Sequence, residues 1–282
     1  MFIALSAPAI GIRGLPLADL LGLARTAGFQ GVDFDMGEAA GLPDVAALFA
    51  GSGIRAAAWG LPVSGTQSEW QIDLDRLDTL ARLGARLGAT RCATWVPSWS
   101  DSRDLPANLA HHMERLRPAA QVLARHGCVL GLEFLGPSTL LDGHRFAFVR
   151  TMDAMLDLAA RIGSNVGLLL DAWHLHASGG SPDDLSRLKA TDVVHVHISD
   201  APRGVALDAL RDNARQLPLD TGVIDLPGFL RALARIGYDG PVVTEPFNAP
   251  LNDLAARDPQ AAAAQVRAAM ARLWQLAGLS PG

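Results

Sequence analysis

The sequence predicts a single α/β domain, residues 1–282, folded as a (β/α)8 TIM barrel. Short continuous apolar runs, which are typical of parallel strands covered on both faces, alternate with stretches whose apolar residues recur every three or four positions. Most of these helical stretches end at a glycine just before the next apolar run, and glycine is a favoured helix cap because it adopts positive φ without strain. Strict alternation counted to eight favours a closed barrel over an open, doubly wound sheet.

Eight apolar runs are the predicted strands. The first four are 2–6 (FIALS), 30–35 (QGVDFD), 54–59 (IRAAAW) and 90–95 (TRCATW). The last four are 128–134 (CVLGLEF), 166–171 (VGLLLD), 193–198 (VVHVHI) and 241–245 (PVVTE). Neither the GxGxxG pattern after the first strand nor a GxxxxGK[ST] pattern occurs, which disfavours a nucleotide-binding fold.

The helical stretches lie between these strands and after the last one. They are 17–28, 45–53, 74–88, 107–127, 148–163, 225–237 and 259–278. The glycines that end helices directly before a strand are Gly28, Gly53, Gly88, Gly127, Gly163 and Gly237. Repeated helix–glycine–strand punctuation is itself a signal of β/α repeats.

Charge and composition narrow the class of partner. The net charge is −5, and the arginines are scattered along the helices rather than gathered in the basic stripe that nucleic-acid binding requires. Two cysteines, Cys92 and Cys128, without a CxxC motif favour a reducing cytoplasm. The first residues lack the basic region of a signal peptide, and no apolar run approaches the roughly 18–20 residues of a membrane helix. We therefore expect a cytoplasmic protein with a small-molecule partner, without nucleic acid or membrane.

Each of the last four predicted strands ends in a side chain that can bind a metal. These side chains are Glu133, Asp171, His197 and Glu245, separated by 38, 26 and 48 residues, about one strand-plus-helix unit each. The active site of a barrel lies at the C-terminal ends of its strands, so we expect the four to converge. Three carboxylates and one imidazole suit Mn²⁺ or Mg²⁺ and tolerate Co²⁺ or Zn²⁺. The sequence thus predicts one divalent metal ion, with coordination positions left for substrate.

Polar residues near these ends are candidates for substrate contacts. His174 follows Asp171 by three residues and can donate a hydrogen bond to a substrate oxygen. Arg203 follows His197 by six residues and offers paired donors. Asp200 is expected to orient His197 or to pair with Arg203, and a solvated loop acid is an equal alternative.

Aromatic side chains at or just past strand ends are expected either to form a wall of the substrate pocket or to plug the barrel as core. They are Trp59, Trp95, Trp99 and Phe247. Asp33 and Asp35, near the end of the second strand, are expected to contact substrate or to cap the next helix. His195 is expected to point outward, toward the helix layer.

The stretches GLEFLGP, LLLDAWH, HVHISDAPR and TEPFN carry a resemblance to a known family. The chain resembles the xylose isomerase-like barrel superfamily, in particular its sugar phosphate isomerase/epimerase branch of ketose 3-epimerases, hydroxypyruvate isomerase and inosose dehydratase. The resemblance covers essentially the whole chain. It implies that the four strand-end residues bind one metal, and that Glu133 and Glu245 also act as acid and base. It further implies that His174 and Arg203 contact substrate oxygens.

The function that this resemblance implies is a divalent-metal-dependent isomerase or epimerase of a sugar, a sugar phosphate or a small hydroxy-keto compound. The metal acidifies the C–H beside a carbonyl, one glutamate removes that proton to leave a metal-bound cis-enediolate, and the other glutamate returns a proton. The alternative is a dehydratase, a lyase of inosose or dehydroshikimate type that uses the same site. The resemblance leaves the substrate and the oligomeric state open, although barrels of this group often pair.

Two departures from related patterns restrict the reaction further. Leu135 stands where xylose isomerases carry a lysine, which disfavours a two-metal hydride shift. The third and fourth strands end in Trp59-Gly60 and Thr94-Trp95, whereas the related endonuclease IV requires histidine ligands there. An endonuclease IV-like repair enzyme is therefore a remote alternative.

Overall fold

A computed structural model describes residues 1–64 and 71–282, in which helices surround a curled parallel sheet. The strands are β1 (Phe2–Leu5), β2 (Gly31–Val32), β3 (Arg55–Ala56), β4 (Trp59–Gly60), β5 (Val63–Ser64), β6 (Gln71–Ile72), β7 (Arg91–Val96), β8 (Trp99–Ser100), β9 (Val129–Phe134), β10 (Phe146–Ala147), β11 (Val166–Asp171), β12 (Val193–Ile198) and β13 (Pro241–Thr244). The helices are α1 (Leu17–Ala27), α2 (Met36–Gly41), α3 (Val45–Ser52), α4 (Leu74–Leu87), α5 (Leu105–Arg125), α6 (Met152–Ile162), α7 (Ala172–Ala177), α8 (Leu226–Arg235), α9 (Ala249–Arg257) and α10 (Pro259–Ala277).

The large sheet has the strand order β3-β2-β1-β13-β12-β11-β9-β7-β4, and its neighbours pair in parallel. Its two end strands, β3 and β4, are successive pieces of one stretch of chain. The first piece pairs with β2 and the second pairs with β7. We call each of the eight strand positions of the barrel a stave, and the barrel closes through its third stave, which is interrupted between β3 and β4. The predicted (β/α)8 barrel is confirmed.

The register of the parallel strands brings the predicted ligands to one edge. Asp171 at the end of β11 lies opposite His197 on β12, and Glu133 on β9 lies opposite Trp95 on β7. Glu245 directly follows β13, and its backbone N–H donates to the carbonyl of Ile198, the last residue of β12. The C-terminal ends of four neighbouring staves therefore present their side chains together.

The second and third staves are shorter than the sequence predicts. After β2 the side chain of Asp33 accepts a hydrogen bond from the backbone N–H of Ala58 at 3.1 Å, between β3 and β4. A side-chain oxygen thus occupies the place of a strand carbonyl in the ladder. This substitution ends the regular pairing earlier than an apolar run would indicate.

Three short helices, α2, α7 and α9, were not predicted. Each begins at a side chain that accepts a backbone N–H: Asp35 from Glu38, Asp171 from Trp173, and Asn248 from Leu251. These are ordinary N-caps, and Pro250 in the first turn of α9 is a second start signal. The helices escape a periodicity search because six to nine residues give too few turns to show a period.

The apolar core consists of one large cluster and a small separate one of Phe2, Ala4, Ala57 and Val243. Both cysteines, Cys92 and Cys128, are buried within it and unpaired. None of the described helices combines the length and hydrophobicity that a membrane span requires.

Candidate metal centre and substrate pocket

The four predicted ligands converge at the C-terminal edge of the barrel. One ligand atom from each of Glu133, Asp171, His197 and Glu245 lies within 4.8 Å of all the others. The Nδ1 atom of His197 is 3.6 Å from Glu133 Oε1 and 3.4 Å from Glu245 Oε2. Asp171 is fully buried and Glu133 is nearly so. The imidazole therefore stands between two carboxylates that come from different staves.

This cluster fits one divalent cation. Glu133 Oε1 and His197 Nδ1 are both buried, and neither has a hydrogen-bond partner in the part of the chain that the structure describes. Buried polar atoms in native proteins are almost always paired, so two orphaned atoms 3.6 Å apart point to a missing partner. A cation between them would satisfy both, and a set of three carboxylates with one imidazole suits a hard divalent ion.

A buried arginine that the sequence analysis missed lies against the cluster. The Arg215 guanidinium donates through NH1 to Asp171 Oδ2 at 2.8 Å and to Glu245 Oε2 at 3.1 Å. Its NH2 donates to Asp212 Oδ1 at 2.8 Å. Burial opposes its charge, but Asp171, Glu245 and Asp212 raise the pKa of Arg215 above its ordinary value. Arg215 therefore neutralises one of the charges at the centre, and a divalent cation would neutralise two more.

Arg203 occupies a different place from the one expected. It is exposed, and its NH2 donates to the carbonyl of Thr221 at 2.5 Å. The structure therefore does not bring Arg203 to the cluster, whereas Arg215, later in the same loop, reaches it. The sequence carries no periodic signal for Arg215, because a loop rather than a strand delivers it.

Asp200 explains how that loop is held. Its carboxylate is fully buried and accepts five backbone N–H groups, from Ala201, Thr221, Gly222, Val223 and Ile224. Its backbone also bridges to that of Gln216, the residue after Arg215. The expectation that Asp200 orients His197, pairs with Arg203 or is solvated was wrong. The carboxylate instead anchors the segment that carries Arg215.

His174 presents a neutral imidazole to the carboxylates. The backbone N–H of Gly136 donates to its Nδ1 at 3.2 Å, so the proton of the neutral ring resides on Nε2. Burial and the nearby Arg215 charge lower the pKa of His174 to about 3. Its Nε2 lies 3.8 to 4.0 Å from oxygens of Asp212, Asp171 and Glu133. With this tautomer, the 3.2 Å approach of Arg215 NH2 to Nε2 is a contact between two donors rather than a hydrogen bond.

Burial and neighbouring charges drive the pKa values of the two glutamates apart. Burial raises the pKa of Glu133 to about 7, and the charges of Glu245 and Asp171 add to this rise. For Glu245 burial acts in the same sense, but His197 and Arg215 outweigh it and lower the pKa to about 2. Burial also opposes a charge on His197, yet Glu245 and Glu133 raise its pKa well above the ordinary value.

A cavity of about 580 Å³ opens beside the cluster, lined by Glu133, Glu245 and His197 among others. Trp59 and Trp95 also line it. Trp59 is almost fully buried and its Nε1 donates to the carbonyl of Ala89 at 2.8 Å, so it serves mainly as core. Trp99 stacks on His144 instead, with ring centroids 4.6 Å apart.

Phe247 lies on the other side of the centre. The Arg215 guanidinium stacks over its ring, 4.8 Å from the centroid. Of the aromatic residues predicted to contact substrate, the structure therefore brings Trp59 and Trp95, but not Phe247, to the cavity among the lining residues it describes.

His195 faces the barrel interior, and the expectation that it points outward was wrong. Residues two apart on a strand share a face, so His195 points the same way as His197. Its Nε2 lies 2.9 Å from Asp33 Oδ2, and the two histidine rings meet edge to face with centroids 4.8 Å apart. Asp33 and Asp35 both line the cavity, and Asp35 also caps α2.

Residues 21–273 match the sequence profile of the xylose isomerase-like TIM barrel family. The chain belongs to this family. Within the xylose isomerase-like TIM barrel family, a xylose isomerase domain protein from Alicyclobacillus acidocaldarius superposes with a TM-score of 0.84, at 31% identity over 99% of both chains.

Curated relatives with assigned activities match over shorter stretches. The chain is 28% identical to an inosose isomerase of Bacillus licheniformis over 165 residues, which are 58% of this chain and 56% of that protein. It is 30% identical to a 3-dehydroshikimate dehydratase of Pseudomonas aeruginosa over 179 residues, which are 62% of this chain and 26% of that protein. The matched stretch is therefore about half the length of the first relative and a quarter of the second.

Gly136→Ala should destabilise the protein, because a Cβ at this position would collide with the carbonyl oxygen of His174. We expect a loss of about 1–3 kcal/mol in the free energy of unfolding, measured by chemical denaturation. Gly51→Ala is the control, since its Cβ would meet open space within α3. Equal stability of the two variants would contradict the close approach of Gly136 to His174.

Metal affinity should fall as the pH decreases through about 7, because protons compete with the cation at Glu133, whose pKa burial raises to about 7, and at His197, whose pKa the two glutamates raise well above its ordinary value. Below that pH we expect about a tenfold loss of affinity per unit for each proton displaced. Calorimetric titration of Mn²⁺ in buffers with different heats of ionisation measures both affinity and proton release. A constant affinity from about pH 6 to 8 without proton release would refute the proposed competition between protons and the cation. His197→Ala is the control for binding at the centre.

Asp200→Asn should loosen the loop that carries Arg215, because an amide loses the charge and one acceptor oxygen that hold the backbone N–H groups. We expect about 2 kcal/mol lower stability toward denaturant, since hydrogen bonds to a charged group are the stronger ones. Asp208→Asn, an exposed residue of the same loop, is the matched control. Similar stability for both variants would show that Asp200 is not an anchor.

Proposed function

We propose that the protein is a divalent-metal-dependent isomerase or epimerase that transfers a proton on a small carbohydrate-like hydroxy ketone. One observation carries the proposal: Glu133 and Glu245 approach the same His197 nitrogen, at 3.6 and 3.4 Å, from different strands of the sheet. In the sheet, β9 and β13 flank β11 and β12, so the two carboxylates reach the centre from either side of Asp171 and His197. A compound held at the centre would thus have a proton acceptor at each face.

The cation would be held by Glu133, Asp171, His197 and Glu245, and the oxygen-rich set favours Mn²⁺ over Mg²⁺, Co²⁺ or Zn²⁺. When bound, it supplies the positive charge that acidifies the C–H bond beside a carbonyl. One glutamate accepts that proton, and the second glutamate returns a proton from its own side. Return to the same carbon gives an epimer, and return to the neighbouring carbon exchanges an aldose and a ketose.

Two further side chains stabilise the negative charge that forms on the substrate oxygen. His174 is neutral and carries its proton on Nε2, close to the carboxylates, so it can donate to that oxygen without bringing an additional full charge. Arg215 holds Asp171 and Glu245 in place and keeps its positive charge beside them. Arg215, rather than Arg203, therefore supplies the positive charge beside the centre, and it does so through the ligand carboxylates without contacting the substrate.

A dehydratase is the second candidate. The match to the Pseudomonas aeruginosa dehydratase extends over more of this chain than the match to the Bacillus licheniformis isomerase. Removal of the same proton followed by loss of a β-hydroxyl group as water gives a saturated hydroxy ketone a new C=C bond beside the carbonyl, and the product absorbs in the ultraviolet. An increase in that absorbance with inosose would favour the lyase.

The setting of this activity is part of the proposal. We place the protein in the cytoplasm, with residues 1–282 acting as one domain. Both cysteines are buried and unpaired, as a reducing compartment allows.

Glu133→Gln and Glu245→Gln should each abolish deuterium incorporation from D₂O next to the carbonyl of a reactive ketone. General acid–base groups contribute about 10²–10⁴ in rate, so we expect at least a 100-fold loss, read by NMR with ketoses, ketose phosphates and inosose in the presence of Mn²⁺. Glu114→Gln, an exposed helix residue, is the control. Full exchange in both active-site variants, with the fold intact by circular dichroism, would rule out the acid–base assignment.

A further inference from the structure

We propose that the cavity selects an uncharged polyhydroxy ketone and rejects compounds that carry a phosphate or a carboxylate group. This rests on the proposed function for its site, and it decides a point that the family leaves open. An inosose is uncharged, whereas 3-dehydroshikimate is a carboxylate and ketose phosphates are dianions. The inference follows from where the cavity places its charges.

The cavity wall carries acids without bases. Five carboxylates line it, from Asp33, Asp35, Glu38, Glu133 and Glu245. Among the described lining residues there is neither a lysine nor an arginine. His195 also lines the cavity, but its Nε2 lies 2.9 Å from Asp33 Oδ2, so that nitrogen is already turned to a carboxylate. An anionic substituent would enter a space whose fixed charges all have its own sign, apart from the centre itself.

Arg215 is not free to offset the negative charge of the cavity wall. Its Nε donates to the carbonyl of Asp212, its NH1 to Asp171 and Glu245, and its NH2 to the Asp212 carboxylate. The second N–H of NH2 faces His174 Nε2. A guanidinium has five N–H groups, of which four are thus hydrogen-bonded and the fifth is covered by the His174 imidazole, so none points to a phosphate in the cavity. Arg203, the other arginine of this loop considered for substrate binding, is exposed and turned to Thr221.

The mouth of the cavity is suited to hydroxyl groups. Asp35 and Glu38 are exposed there, and each uses one carboxylate oxygen to accept a backbone N–H, from Glu38 and Leu17 respectively. Within the described residues, the second oxygen of each accepts no hydrogen bond. A substrate hydroxyl can donate to these oxygens, whereas ionised phosphate and carboxylate groups have only acceptor oxygens to offer.

The basic side chain of Arg76 lies near the cavity, where it would attract an anionic group and so oppose the proposed charge selection. Arg76 lines an adjoining cavity of about 350 Å³, which shares Asp35 and Gly60 with the main one. A phosphorylated substrate long enough to pass Asp35 would reach it. The experiment therefore includes this arginine.

The test is calorimetric binding to the Mn²⁺-loaded protein of D-fructose against D-fructose 6-phosphate, and of inosose against 3-dehydroshikimate. We expect the uncharged member of at least one pair to bind at least about tenfold more tightly than its charged partner. Equal or tighter binding of the charged member in either pair, or binding of none of the four, overturns the inference. Exchange in D₂O is measured with the same compounds. Selective binding without exchange would leave the inference standing and refute the proposed function. Deuterium exchange in D-fructose 6-phosphate at the same rate as in D-fructose would support the proposed function and refute the inference.

Asp35→Asn keeps the helix cap, because asparagine caps as well as aspartate, but it removes one charge from the mouth. We expect it to raise the affinity for the charged compound relative to the uncharged one about threefold or more. Asp44→Asn is the matched control: Asp44 caps α3 by accepting from Ala47 and does not line the cavity. An unchanged ratio in Asp35→Asn, or phosphate binding that is lost in Arg76→Gln, contradicts the proposed charge selection.

Discussion

The structure depends on one electrostatic constraint, the crowding of three carboxylates into a space a few ångströms wide at the end of the barrel. Glu133, Asp171 and Glu245 each bring an oxygen within 4.8 Å of the others, where burial makes an unbalanced charge costly. Arg215 compensates for part of this charge through bonds to two of them. The rest is left for a cation, and the orphaned atoms of Glu133 and His197 mark where it would bind. The same crowding that would destabilise a protein without a ligand creates the affinity that a catalytic metal site requires.

Much of the surrounding architecture keeps further charge away from this centre or fixes the charge already present. Gly136 approaches His174 so closely that only glycine fits, and its N–H selects the imidazole tautomer that donates toward the carboxylates. Asp200 is a buried carboxylate, yet five backbone N–H groups surround it, so its charge is satisfied locally. By holding residues 221–224 and bridging to Gln216, it fixes both sides of the loop that delivers Arg215. A rigid barrel edge supplies the ligands, and an anchored loop supplies the counter-charge.

The sequence predicts the barrel and the convergence of the four strand-end side chains because both follow from local, periodic signals. Strand β12 spans the same residues as its apolar run, and the ends of β9 and β11 bring Glu133 and Asp171 to the expected edge. Prediction fails where a side chain replaces backbone pairing or where a loop, rather than an element, positions a residue. Asp33 shortens the second stave by bonding to Ala58, and Arg215 arrives from an aperiodic segment. The strand period of two already places His195 on the same face as His197, so the sequence contains the information that the outward expectation contradicts.

The charges of the cavity fall into two groups. One group, at the metal centre, serves the reaction, and the other, at the mouth, selects the substrate. Near the centre, three ligand carboxylates would be balanced by Arg215 and a divalent cation, so the environment of the reacting carbons is close to neutral. Around the mouth, Asp35 and Glu38 belong to none of the ion pairs of the described residues, and they lie on the β/α segment of the second stave, far along the chain from β9 to β13. Amino-acid substitutions at the mouth can therefore change which substrate substituents the cavity accepts without altering the four metal ligands. A family that shares one metal centre can diversify its substrates in this way, because the residues that recognise the distal end of the substrate belong to different staves from those that move its proton.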